Sequence, residues 1–174
     1  YGNTVLISAA DFEYNRSPIA MYLVKKGALI NAQNIHGVTP LMVATRIQNV
    51  ELSKFLIQSG ADVNLKDRNG NNALFNLINA GNFDDYKIEI ANYLVDAKTN
   101  LNNQNNDGYT ILHEAMNAKK HQLLKLFIEK GADTSLKNKK NKTALAQAII
   151  NSNMDAVKML LAYEKNINQL DEYG

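Results

Sequence analysis

Two of the three histidines in this chain lie in the segment GYTILHEAMNAKKH (108–121), where Glu114 directly follows His113. A zinc protease helix carries H-E-x-x-H, because histidines four residues apart share one helix face and can bind the same zinc ion. Here the position four residues after His113 is Asn117, and His121 comes eight residues after His113. Asparagine is a poor zinc ligand, and the chain has no cysteine to replace the missing group. The segment therefore lacks the ligands of such a site.

The short patterns of other common catalytic sites are also missing from the sequence. It contains no G-x-x-x-x-G-K-[ST] phosphate loop, no G-x-G-x-x-G dinucleotide fingerprint and no G-x-S-x-G nucleophile turn. Asp84 and Asp85 form an acidic pair without an evident histidine partner, so two solvated carboxylates are the simpler interpretation. We expect no catalytic residue, no metal site and no cofactor within these 174 residues.

The composition narrows the class of protein. Apolar residues make up 45% of the chain, which is enough for a buried core. The net charge of +2 does not favour a nucleic-acid partner. The lack of cysteine excludes disulfides and fits a reducing compartment. No apolar run approaches the roughly 18 to 20 residues of a membrane span. We expect a cytoplasmic or other intracellular location, and delivery into a host cell stays open. Because the chain begins at Tyr1, we expect a fragment of a longer protein.

The sequence repeats itself five times, with starts at residues 2, 37, 70, 108 and 141. Each start carries Gly or Asn, then a polar residue two positions later, then leucine two positions after that. The segments are GNTVLISAA (2–10), GVTPLMVAT (37–45), GNNALFNLI (70–78), GYTILHEAM (108–116) and NKTALAQAI (141–149). A second block follows in each unit, as in LIQSGADVN (56–64) and LFIEKGADTS (126–135). A period near 33 residues indicates a repeat architecture.

These segments resemble the ankyrin repeat family, whose 33-residue unit reads roughly G-x-T-P-L-H-x-A-A and later L-L-x-x-G-A-D-V-N. The resemblance covers the whole chain and implies an all-α ankyrin-repeat solenoid of helix-turn-helix units joined by β-hairpin-like loops. The repeats would span about 1–33, 34–66, 67–104, 105–137 and 138–170, and residues 171–174 would start a sixth. His113 then occupies the motif's structural histidine, which ties the helix start to the hairpin. His121 would begin the next helix as a solvated residue.

The repeated polar and glycine positions suit such a unit. Pro40 falls at a first helical position, where proline loses no hydrogen bond. Lys98 stands where other units carry glycine, at a cost on the order of 1 kcal/mol if the left-handed backbone is kept. Asn141 replaces a hairpin glycine, since asparagine tolerates positive φ. The expected helix N-caps are Thr4, Thr39, Asn72, Thr110 and Thr143. The expected left-handed C-caps are Gly27, Gly60 and Gly131.

Two insertions and one basic loop depart from the pattern. Extra residues lie within Phe12–Ser17 and within Asn79–Lys87, and both stretches bring aromatic residues. They serve either as binding loops or as length changes that a surface loop tolerates at little entropic cost. The basic loop has two interpretations, contact with an acidic partner or phosphates and a solvated tip that favours solubility. The aromatic residues are Phe12, Tyr14, Phe83 and Tyr86, and the lysines are Lys137, Lys139, Lys140 and Lys142.

The resemblance also implies a function. Ankyrin arrays bind protein partners with their hairpin tips and the exposed ends of their inner helices, on a concave face. We therefore expect a non-catalytic protein–protein interaction scaffold. The alternative is a regulatory or targeting segment of a larger enzyme or secreted effector. Carried over position by position, the expected partner-binding residues are Ile35, His36, Val38, Arg46, Ile47, Arg68, Asn71, Asn79, Asp107, Tyr109, Asn117, Lys140 and Lys142.

Overall fold

A computed structural model of the chain describes residues 2–11, 17–81, 84–117 and 121–163. In these ranges the chain forms ten α-helices joined by short loops, so the expected all-α class is confirmed. The helices are α1 Val5–Ala10, α2 Ser17–Lys25, α3 Pro40–Arg46, α4 Val50–Gln58, α5 Ala73–Ile78, α6 Asp84–Asp96, α7 Ile111–Asn117, α8 His121–Glu129, α9 Ala144–Ile150 and α10 Met154–Leu161. None of the helices in the described ranges has the length and apolarity needed to cross a membrane.

The chain divides into two compact units, residues 1–100 and residues 101–174. In the first unit, the first helices of consecutive repeats stack as α1, α3 and α5, and the second helices stack as α2, α4 and α6. In the second unit, α7 packs on α9 and α8 packs on α10. Each unit therefore consists of stacked helix pairs.

The first helices begin where the sequence predicts. Thr39 Oγ1 accepts a hydrogen bond from the Met42 N–H at 3.1 Å, and Pro40 is the first helical residue. Asn72 Oδ1 likewise accepts from the Phe75 N–H at 3.3 Å. An N-cap of this kind contributes about 1 kcal/mol. Two further predicted N-caps are confirmed, Thr4 and Thr143.

The leucine and alanine positions of the repeat form the core. Leu41 and Leu74 are fully buried in the first unit, and Leu112 is fully buried in the second. Burial of one leucine side chain contributes about 1.5–3 kcal/mol. Ala44 and Ala148 are also fully buried, and their small side chains let neighbouring first helices approach closely. The apolar stripe that the repeat predicts is therefore the stacking surface.

Left-handed backbone occurs where the repeat requires it. The three predicted C-cap glycines are confirmed, since Gly27, Gly60 and Gly131 have φ values of 88°, 89° and 87°. Lys98 keeps this conformation at φ 62°, and Asn141 has φ 56° in its hairpin. Sequence reasoning missed two further positions of this kind, which follow α3 and α9: Gln48 at 57° and Ser152 at 52°.

Asparagine side chains link consecutive repeats at the loops that follow the second helices. Asn31 Oδ1 accepts from the Asp62 N–H at 2.8 Å, and Asn64 Oδ1 accepts from the Asn100 N–H at 2.7 Å. In the second unit, Asn102 Oδ1 accepts from the Asp133 N–H at 2.8 Å. Part of the chain's high asparagine content of 25 residues is thereby explained by structure.

The insertion in the third repeat contains a buried lysine that the sequence did not indicate. The Lys87 side chain is fully buried in α6, and its Nζ donates to the carbonyl oxygens of Ile78 at 3.2 Å and Ala80 at 2.6 Å. These carbonyls lie at the end of α5, where helical partners run out. Lys87 therefore caps the preceding helix. Of the insertion aromatics, Tyr86 is exposed, and Phe12, Tyr14 and Phe83 lie outside the described residues.

Candidate partner-binding surface

Each hairpin tip is held by an asparagine or aspartate side chain. Asn34 Oδ1 accepts from the N–H groups of His36 and Val38 at 2.9 and 3.0 Å. These bonds fix the loop that presents both side chains. The same pair of bonds recurs at Asp67, Asn105 and Asn138. The sequence signal was an Asn or Asp three residues before each hairpin Gly or Asn, and sequence reasoning did not use it.

Neighbouring tips in the first unit are joined by backbone and side-chain hydrogen bonds. The Arg68 N–H donates to the His36 carbonyl at 2.9 Å. Gln33 Nε2 donates to the carbonyls of Gly37 and Lys66 at 2.7 and 2.9 Å. A Cβ on Gly37 would lie only 3.0 Å from the Asp67 Cα, so this close approach requires glycine. The tips of the second and third repeats are therefore fixed relative to each other.

The same construction recurs in the second unit. The Lys139 N–H donates to the Asp107 carbonyl at 3.0 Å. Gln104 Nε2 donates to the carbonyls of Gly108 and Lys137 at 2.8 Å each. A Cβ on Gly108 would lie 2.7 Å from the Lys139 nitrogen, which excludes any larger residue without backbone movement.

Three of the predicted binding residues converge in the first unit. His36 and Val38 on a tip and Arg46 at the end of α3 line one cavity of about 320 Å³. Arg46 Nη2 lies 2.6 Å from the Asp11 Oδ1 that follows α1. The other lining residues are Asn3, Ile7, Asn34 and Val43. We call this feature the tip cavity. It combines an apolar floor with one cation and one anion at its rim.

The other predicted residues of the first unit lie beside the tip cavity. Ile35 is exposed, and its Cγ2 lies 2.7 Å from where a Cβ on Gly2 would be, so this side chain covers the preceding hairpin. Ile47 is half-buried and follows α3 as its C-cap. Arg68 is exposed and Asn71 is half-buried. Asn79 is exposed at the end of α5.

In the second unit, Tyr109 is half-buried, because its ring packs edge-on against His113 with centroids 5.6 Å apart. Asp107 and Lys140 are exposed at the two tips, and Lys142 is half-buried. Asn117 is the last residue of α7, and its side chain lies outside the described part of the structure. Tyr109 therefore supports the core as well as lining the surface.

His113 has the structural role that the motif implies. Its Nδ1 accepts from the Thr110 N–H at 3.2 Å and lies 2.9 Å from the Thr110 hydroxyl. Its Nε2, which carries the proton in this tautomer, donates to the Lys142 carbonyl at 2.9 Å. Burial lowers the pKa of His113, and the hydrogen bond to Lys142 acts weakly in the opposite direction. The ring is therefore a neutral link between helix start and next hairpin. In the second repeat, the Met42 sulfur accepts from the Thr39 N–H at 3.4 Å in the same way.

The interpretation of His121 as a solvated residue is wrong. The residue is half-buried, and its Nε2 lies 3.1 Å from Asn153 Oδ1, which also caps α10. Asn49 is linked similarly in the first unit, where its Nδ2 donates to Ser17 Oγ at 2.7 Å. Within the described ranges, no three histidine or carboxylate side chains are grouped so that they could hold a metal ion.

Glu114 is the second residue of the second unit whose ionisation is perturbed. The side chain is half-buried on α7. Burial raises the pKa of the Glu114 carboxyl, and the neighbouring Asp107 carboxylate raises this pKa further. The surface of this unit thus presents acidic groups beside the lysines of its second tip.

A family model described as "Ankyrin repeats (3 copies)" matches residues 1–67 and 77–171 of the chain. The chain is 31% identical over 173 residues to the fowlpox virus (strain NVSL) ankyrin repeat protein FPV031, covering 97% of this chain and 39% of that protein. It is 45% identical over 62 residues to Ankyrin repeat and SAM domain-containing protein 6 of Rattus norvegicus, covering 35% of this chain and 7% of that protein.

A third relative is ZDHHC13 of Danio rerio, whose name describes a palmitoyltransferase. It is 39% identical over 77 residues, which is 43% of this chain and 12% of that protein. The chain thus spans well under half the length of each of these three relatives. The matched residues, the period and the stacked helix pairs agree, and the chain belongs to the ankyrin repeat family.

Proposed function

We propose that this chain is a non-catalytic interaction scaffold that binds a protein partner with its hairpin tips and the ends of its first helices, the concave face of ankyrin arrays. One observation carries the proposal. Three residues expected at the partner site, His36, Val38 and Arg46, line the tip cavity together. Ankyrin repeats are in general protein–protein interaction modules, and the family membership supports the proposal at that coarser level.

The chemistry of the tip cavity suits a protein surface. Ile7 and Val43 give an apolar floor, and Val38 adds a half-buried wall. A partner's apolar side chain would leave water by entering this space, which is the main driving force of association. The rim offers donors on Arg46 and acceptors on Asp11, a combination that matches a peptide group with its own N–H and C=O.

Arg46 is the residue in this cavity best suited to dominate the binding energy. Arginine is enriched among interface hot spots, where truncation weakens binding by about 2 kcal/mol or more. Its ion pair with Asp11 is exposed, and such pairs contribute only about 0–1 kcal/mol to stability. The pair therefore serves recognition better than it serves folding.

A nucleic-acid partner fits this cavity less well. Phosphate binding would be opposed by the Asp11 carboxylate, which lies 2.6 Å from Arg46. Binding that depends on phosphates weakens steeply with salt. A partner that binds through the tip cavity would be less sensitive to salt, because the floor of the site is apolar.

The test is a comparison of captured partners. Unmodified protein, Arg46→Ala and the control Lys25→Ala would each be used to capture proteins from a lysate of source or host cells. Lys25 is exposed at the end of α2. We expect a partner that Lys25→Ala retains and Arg46→Ala loses, with the affinity of the purified partner falling at least about tenfold. Equal binding by all three proteins would contradict the proposed site.

The alternative function is that of a regulatory or targeting segment in a larger enzyme or effector. The relative ZDHHC13, whose name describes a palmitoyltransferase, favours this candidate, since the chain matches 12% of that protein. The tip cavity would then bind another part of the same polypeptide. Cross-linking of the full-length protein at low concentration distinguishes the two functions, because an intramolecular contact at Arg46 persists on dilution.

A further inference from the structure

The first repeat exposes apolar side chains at its outer end. Val5 is 69% exposed at the start of α1, and Ile19 is 52% exposed near the start of α2. Together with Ala9 and Leu23 they line a cavity of about 420 Å³. We call Val5, Ala9, Ile19 and Leu23 the end face. Large apolar side chains grouped at such exposures mark an interaction surface more often than a solvent-exposed one.

The corresponding positions are buried in the other repeats of this unit. Val5 corresponds to Pro40 and Ala73, the first residues of α3 and α5, and both are buried. The position of Ile19 is taken by Leu52 and Ile90, which are 1% and 0% exposed. Leu23 corresponds to Leu56 and Leu94, and both of these are 0% exposed. The second unit repeats the pattern at Ala144, Ala156 and Leu160.

What buries these positions is the helix pair of the preceding repeat. In the first unit, α3 packs on α1 and α5 packs on α3, while α4 packs on α2 and α6 packs on α4. The first repeat has α3 and α4 stacked on one side. Its end face is the opposite side, so it continues an interface that the unit forms twice already.

A position outside the stacking interface serves as a comparison. Leu29 is 78% exposed, and the residues that correspond to it, Asp62 and Asn100, are also exposed. Exposure at Leu29 is thus a constant of the repeat. Exposure at Val5 and Ile19 is instead an exception to it, which distinguishes the end face from an isolated apolar residue on a surface.

We propose that the end face takes one more ankyrin-type helix pair, stacked in the same direction and supplied by residues of the same polypeptide that precede Tyr1. The occupant has the chemistry of the existing repeats, with leucine and small residues on its contacting helices. A polar or charged helix face would leave Val5 and Ile19 against groups that lose their hydration. The neighbour is therefore an interior-type repeat rather than an unrelated partner protein.

The experiment uses Val5→Glu/Ile19→Glu in the 174-residue chain and in the full-length protein, with Leu29→Glu as the matched control. Glutamate in the first turn of a helix is well tolerated because of the helix dipole. We expect the double variant to melt within about 2 °C of the parent in the short chain. In the full-length protein we expect its Tm to fall by about 5 °C or more, with Leu29→Glu unchanged in both.

Hydrogen exchange supplies a readout that needs no variant. Amides of α1 and α2 should exchange at least about tenfold more slowly in the full-length protein, since buried helices open less often. Equal Tm shifts in the two lengths, together with equal exchange, would overturn the proposal. So would a full-length protein with no helix pair before Tyr1. Association of the short chain that the double variant abolishes, without protection in the full-length protein, would instead assign the end face to a second copy.

Discussion

Asp11 and Arg46 occupy the same position in consecutive repeats, and an Arg46 Nη2 lies 2.6 Å from an Asp11 carboxylate oxygen. Each residue comes seven positions after the threonine that caps its helix, Thr4 and Thr39. Stacking of α1 on α3 therefore aligns the two charges at the rim of the tip cavity.

The first prediction concerns this ion pair. The Arg46 and Asp11 side chains are 50% and 42% exposed, so Arg46→Ala should lower the free energy of unfolding by less than about 1 kcal/mol. Partner affinity should nevertheless fall, and Asp11→Asn provides the matched change on the other side of the pair. Urea unfolding measures the stability. A loss well above 1 kcal/mol would mean that the pair is structural.

Tyr109 is a poorer choice for such a test. Its ring contacts the buried His113, so Tyr109→Ala would disturb packing as well as the surface. Tyr109→Phe keeps the ring contact and removes only the hydroxyl, which makes it the better variant for binding studies.

The second prediction concerns the left-handed residue Lys98. At φ 62° a side chain is strained, and Lys98→Gly should raise the free energy of unfolding by about 1 kcal/mol. Lys98→Ala is the control, because alanine has the same steric conflict as lysine. Thermal unfolding distinguishes them. A gain from alanine equal to that from glycine would assign the effect to the lysine charge and not to the backbone.

The third prediction follows from His113. Burial lowers its pKa, so the folded state binds fewer protons than the unfolded state between the folded pKa and the usual value of about 6.5. The stability from this group is complete above about pH 6.5 and is lost as pH falls through that window. His113→Met should remove the dependence, because a methionine sulfur accepts the Thr39 N–H in the second repeat.

At neutral pH the same variant should cost about 1 kcal/mol, since the hydrogen bond from His113 to the Lys142 carbonyl is lost. Urea unfolding of both proteins between pH 5 and pH 8 tests both statements. Parallel pH profiles would show that other groups titrate in this range.

The fourth prediction has the opposite sign. Burial and the Asp107 carboxylate raise the pKa of Glu114, so the folded state binds more protons than the unfolded state just above pH 4.5. Stability should therefore fall as pH rises from there through the folded pKa. Glu114→Gln should be more stable than the parent at pH 7 and should lack this fall. Asp107→Asn should show part of the same gain, measured by thermal unfolding.

The fifth prediction concerns the buried Lys87. Lys87→Met keeps the length of the side chain but removes the donors to Ile78 and Ala80, which should lower stability by roughly 1.5–3 kcal/mol. Lys66→Met, at an exposed side chain, should change stability by less than about 0.5 kcal/mol. Equal effects would contradict the capping role of Lys87.

The repeat made much of this fold predictable. Thr39, Gly60 and Asn141 could be assigned to caps and turns because each recurs at a fixed offset, and local backbone physics gives that offset one structure. Lys87 could not be predicted, because it lies in an insertion that no other repeat shares. Gln48 also carried no signal, since glutamine is not a residue that marks positive φ.

The candidate site was predictable only in part. Position in the repeat indicated that His36, Val38 and Arg46 belong to one surface. The partner of Arg46 was not indicated, because Asp11 and Arg46 are 35 residues apart in sequence and meet only through stacking. Ile35 and Tyr109 were expected as free surface groups, yet each also contacts its own scaffold.

The asparagine links between repeats bear on how such a gene can change length. Asn31 and Asp62 are 31 residues apart, and Asn64 and Asn100 are 36 apart, yet both pairs form the same bond. The five additional residues of the third repeat are absorbed between the linked positions. Because each link ends on a backbone N–H, any residue type can follow. Duplication or loss of a whole repeat by recombination would therefore rejoin the array with its links intact.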